Sequence, residues 1–146
     1  MHGFLRYIAS IFILFIGTPF ISFANGIGHI AGQLTIDESW ERTIYVSLID
    51  NFSSEYTISN NLIVTSTMLD ELGNFKIELD NIPTKWSLLR LHLVKSGVAP
   101  NSLTIGSLDE NFMFLIAKRD SEIKISNTED LPIFRGARIE GADYMG

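Results

Sequence analysis

Leu69-Asp70-Glu71-Leu72-Gly73-Asn74-Phe75-Lys76-Ile77-Glu78-Leu79 is the stretch that decides the fold. Phe75, Ile77 and Leu79 alternate with Asn74, Lys76 and Glu78, and a period of two marks a strand with one buried face. Ahead of the strand stand an aspartate that can turn the chain through its own carboxylate and a glycine free to take positive φ. Asp70, Gly73 and Phe75 thus make a turn motif that leads into a strand. The preceding run, 62–69, is rich in β-branched residues and reads as another strand. The spacing predicts that 70–73 is a short hairpin loop joining the two.

The same pattern extends outward in both directions. Runs at 29–36, 43–49 and 87–94 alternate, with Leu89, Leu91 and Leu93 inward and Arg90 and His92 outward. Run 112–117 is almost continuously apolar, as in a strand covered on both faces. Runs 122–126 and, more weakly, 133–139 complete the set, and 118–121 reads as a second hairpin loop. No segment carries a sustained helical period. Seven or eight short strands at regular spacing predict an all-β fold, a seven- to eight-stranded antiparallel β-sandwich preceded by a signal-peptide helix. The longest unassigned stretch, 96–111, is the expected binding loop.

The N-terminus carries the export signal. Arg6 precedes an apolar run through Ile16, Gly17 and Pro19 break it, and Ser22-Phe23-Ala24 supplies the small residues of a cleavage site. A spanning helix needs about 20 apolar residues, a length that 4–23 just reaches. Pro19 and the small residues favour cleavage over an uncleaved anchor. The expected organisation is a signal peptide at 1–24 and a sandwich domain at 25–146, with its core at 29–126 and a tail at 127–146. The protein is expected in the periplasm or cell envelope, touching membrane only during export.

Composition narrows the partners. Past residue 24 the seventeen acidic residues face ten basic ones, a balance of −7, which disfavours nucleic acid and anionic lipid. The chain has no cysteine, so disulfides, thiolate nucleophiles, cysteine metal sites and lipidation at a cysteine are all absent. A domain of more than 100 residues can still hold itself together by its core.

A resemblance follows from the order Gly32-Gln33-Leu34, Ile44-Tyr45-Val46-Ser47-Leu48, Leu69 to Phe75, Leu89-Arg90-Leu91 and Phe112-Met113-Phe114-Leu115-Ile116. It resembles the N-terminal β-sandwich domains of Bacteroidetes envelope proteins catalogued as a domain of unknown function (DUF4369-like). More distantly it is similar to carboxypeptidase-regulatory-like, prealbumin-type sandwiches. The resemblance covers most of 29–126 and implies a non-catalytic domain. In that group the domain precedes a thioredoxin-like domain, or a membrane helix and a signalling module. This chain shows neither, so two readings stay open: a stand-alone domain, or the sensor part of a longer membrane signalling protein.

Candidate sites are few. His29 and His92 lack a third ligand at metal spacing, and Ile105-Gly106-Ser107 lacks the second glycine of a nucleophile elbow. Asp109-Glu110-Asn111 is the best of the weak calcium-type clusters. No catalytic residue, metal or cofactor is expected, and a small hydrolase is the remote alternative. Trp40, Trp86 and Tyr56, expected to be partly exposed near strand starts and in a loop, are the candidate ligand-binding residues. The expected function is an exported binding or spacer module whose partner is an envelope protein or a glycan.

Overall fold

The computed structural model describes residues 26–57, 59–106, 110–127, 133–134 and 137–141. The export segment expected at 1–24 lies outside them, as do Ser107 and Asp109. The described residues form eight strands: β1 His29–Gln33, β2 Thr43–Ile49, β3 Ile63–Met68, β4 Asn74–Glu78, β5 Ser87–His92, β6 Phe112–Ala117, β7 Glu122–Asn127 and β8 Ala137–Gly141. They form two four-stranded sheets, in the orders β4-β1-β7-β8 and β3-β2-β5-β6. Among the described residues, no helix is long and apolar enough to cross a membrane.

Alternation explains why these strands share one core. Ile30, Phe75, Ile77, Ile123 and Ile125 point inward from the first sheet, and Ile44, Val46, Leu89, Leu91 and Leu115 from the second. Each side chain of this size contributes about 1.5–3 kcal/mol when fully buried. The core reaches past 126: Ile133 and Phe134 are buried in the same cluster, and Ala137 and Ile139 pack against it. The eighth strand forms at 137–141, four residues later than its predicted start.

The sheet assignment differs from the sequence-based expectation in two ways. First, the expected hairpins at 70–73 and 118–121 are corners that carry the chain from one sheet to the other, because β3 and β6 lie in one sheet and β4 and β7 in the other. Second, the sandwich is not wholly antiparallel. β1 runs parallel to β7, with Ile30 beside Ile123 and Gly32 beside Ile125, while the other pairings are antiparallel. Alternation reports which face is buried and is silent on strand direction.

The 70–73 corner is built as its residues dictate. Asp70 Oδ1 accepts from the backbone N–H of Leu72 (2.9 Å) and of Asn74 (2.8 Å), and Oδ2 accepts from Asn74 Nδ2 (2.8 Å). These bonds hold the Asp70 carboxyl below its ordinary range, the side-chain bond from Asn74 contributing most. Gly73 takes φ +81, and Phe75 is buried immediately after it.

Candidate functional site

A broad concavity lies on the solvent face of the β4-β1-β7-β8 sheet. It is a groove of about 650 Å³ whose lining includes His29, Ala31, Gln33, Asn74, Lys124 and Glu140. Its shape follows from strand register. Ala31 sits between Lys76 on β4 and Lys124 on β7, and Lys124 in turn faces Glu140 on β8. One methyl group among long side chains leaves a trough along the row. The neighbouring row sets Gln33 between Asn74 and Ser126.

The groove also depends on close strand packing beneath it. A β-carbon on Gly32 would fall 1.9 Å from the carbonyl oxygen of Ile125, so glycine is what lets β1 lie against β7 there. At one end His29 Nδ1 meets Glu122 Oε2 at 3.1 Å. The lining therefore offers carboxylate, amide, hydroxyl, ammonium and imidazole groups at strand spacing. Phe75 borders the groove along its strand while its ring is buried in the core.

The three candidate aromatics lie elsewhere and apart. Trp40 is buried in the core, which corrects the expectation of partial exposure. The Asp37 turn places it there: Asp37 Oδ1 accepts from the Ser39 N–H at 2.8 Å and from the Ser39 hydroxyl. Residues 39–41 then bond to 94–96, and Lys95 Nζ lies 5.3 Å from the Trp40 ring centroid. Trp86 is half exposed beside a smaller depression of about 290 Å³ that Ile49, Pro83 and Leu88 also line. Lys118 Nζ sits 5.2 Å from its ring. Tyr56 lies over β6, edge-on to Phe112 and Phe114 at 6.0 and 5.9 Å between centroids.

Arg90 and His92 point away from the core as their phase requires, yet both are fully buried, against the expectation of an outward polar face. Two segments cover them. Arg90 Nη1 donates to Glu55 O at 2.6 Å and to Thr57 O at 3.3 Å, and Nη2 donates to Thr57 O at 3.3 Å. These bonds fasten 55–57 across the second sheet. Burial lowers the guanidinium below its ordinary value. His92 stacks on Tyr45, with centroids 5.3 Å apart. Its Nε2 lies 2.6 Å from Pro100 O; a carbonyl only accepts, so this nitrogen carries the proton. Burial, first, and the nearby Arg90 charge lower the imidazole below its ordinary value of 6.5, against the opposing bond to Pro100.

Asn111 is a residue the sequence did not single out for this role. Its buried amide donates to Leu93 O (2.5 Å) and Ser102 O (3.0 Å) and accepts from the Thr104 N–H (2.7 Å). It thus ties down part of the stretch expected to be a binding loop.

Among the described residues, no group of three or more His, Cys, Asp or Glu side chains is placed to hold a metal ion. His92 is committed to Pro100, and the serine and aspartate of the weaker motifs, Ser107 and Asp109, lie outside the described residues. The chain is an all-β domain of two four-stranded sheets, without the metal- or cysteine-based machinery of catalysis among those residues. Comparison with family models, curated proteins and solved structures finds no match.

Proposed function

We propose that this protein is an exported, non-catalytic binding module of the bacterial envelope, and that it holds an extended glycan in the groove over Ala31. The groove carries the reading: it is a trough across a four-stranded sheet, with mixed hydrogen-bonding groups at regular spacing. Glycan hydroxyls donate and accept together, and the carboxylates, amides and single lysine of the lining suit both roles. The export pattern at 1–24 and the resemblance to envelope sandwich domains support the location.

The test is a calorimetric titration with oligosaccharides released from bacterial envelopes, on the natural protein and on Ala31→Trp. An indole at position 31 fills the trough on the solvent face. It should abolish binding and leave the melting temperature unchanged. Equal binding by Ala31→Trp would place the ligand elsewhere. Binding of extended envelope peptides in the absence of any glycan binding would assign the groove to a protein partner.

A further inference from the structure

The four sheet edges are not alike. The β4 edge carries Lys76 and Glu78, and the β8 edge carries Arg138 and Glu140. The β3 edge is disturbed by a bulge where its register with β2 shifts at Val46/Ser47. Charge and bulges are the ordinary defences of an edge against pairing. β6, Phe-Met-Phe-Leu-Ile-Ala, has no charge, no proline and no bulge. Ile116 on it is 55% exposed.

The direction of its free backbone groups can be worked out. Leu93 N–H bonds to Asn111 O at 3.0 Å, in the same register that sets His92 opposite Phe112. Hydrogen-bonded and non-bonded pairs alternate along an antiparallel ladder. Residues 113, 115 and 117 therefore bond to β5, while Phe112, Phe114 and Ile116 turn their N–H and C=O groups to the open edge.

We propose that β6 pairs antiparallel with β6 of a second copy, about a two-fold axis at Phe114. In that register Phe114 faces Phe114 of the partner subunit, and Phe112 faces the partner's Ile116. All three outward-bonding residues are then satisfied, and the two sheets join into one of eight strands. Shifting by one residue opposes bonded to non-bonded positions. Shifting by two leaves one of the three unpaired.

Charge selects the same register. Glu110 falls opposite the partner's Lys118, once on each side of the axis, as a cross-strand pair of opposite sign. Lys118 already pairs with Asp120 at 3.3 Å, so the Glu110 carboxylate completes a three-charge cluster. The partner's Phe112 covers the exposed Ile116. Such a contact is isologous and closes at two copies.

Two measurements on the full chain, purified from the compartment where it accumulates, test this. Sedimentation equilibrium should give twice the denatured mass, and Ile116→Lys should halve it and remove the concentration dependence of the melting temperature. The absence of native cysteine makes cross-linking specific. Phe114→Cys places two sulfurs across the axis at Cα separations of about 5.5 Å, within disulfide range. Ile116→Cys places them roughly 14 Å apart along the strand. Oxidation should therefore link the Phe114→Cys protein and not the Ile116→Cys protein, although Ile116 is exposed. A monomer at the highest attainable concentration, a dimer unaffected by Ile116→Lys, or preferential linking through position 116 would each overturn the proposal.

Discussion

Gly32 has no room for a side chain, because the Ile125 carbonyl occupies the place where its β-carbon would sit. Gly32→Ala should cost about 1–3 kcal/mol, as overpacking does, and should open the β1–β7 pairing beneath the groove. Denaturant unfolding measures the loss, and amide exchange on β1 and β7 locates it. His92 gives a second prediction at this scale. Its folded pKa is lowered, so the unfolded chain takes up the proton first as pH falls. The stabilisation is complete above the ordinary value of 6.5 and is lost as pH falls through the lower folded value. Melting temperature should drop as pH falls from 6.5 and level off, for this group, once the folded value is passed. His92→Gln, which keeps a donor for Pro100, should flatten that part of the curve; an unchanged slope would exonerate His92.

At the scale of elements, the segment 51–57 behaves as a strap fastened by one buried charge. Arg90→Met removes the donors that Glu55 O and Thr57 O now use and should cost on the order of 3 kcal/mol. Limited proteolysis should then cut within 51–57 well before the sheets open. Uniform resistance would mean that Tyr56 packing holds the strap alone. The strands themselves were legible in the sequence, since most bury one face and alternate, while β6 reads as a short continuous apolar run; β2 and β6 fall where their patterns place them. Sheet membership was not legible. The pattern around Asp70 and Gly73 is the same whether the next strand pairs with the last or crosses to the other sheet. Arg90 and His92 show a related gap. A period of two places them on the outward phase correctly, but whether a distant loop covers that phase depends on contacts thirty or more residues away for Arg90.

At the scale of the whole molecule, the two sheets do different work. The β3-β2-β5-β6 sheet is covered over Arg90, His92, Phe112 and Phe114, which makes it a support. The β4-β1-β7-β8 sheet leaves its polar face open as the groove. The sequence did not reveal that groove, because Ala31 is unremarkable until Lys76 and Lys124 arrive beside it from β4 and β7, with Glu140 of β8 beyond Lys124. Tryptophans were the reasonable place to look for a binding surface, and Trp40 was withdrawn into the core by a turn whose local chemistry says nothing of burial. Amide chemical-shift mapping of the isotope-labelled protein, titrated with envelope oligosaccharides, is the sharpest test of glycan binding in the groove. Saturable shifts concentrated at His29, Ala31, Gln33, Lys124 and Glu140, with the oligosaccharide recovered intact, are the predicted result. Shifts centred on Trp86 or Tyr56, or cleavage of the oligosaccharide during the titration, would contradict it.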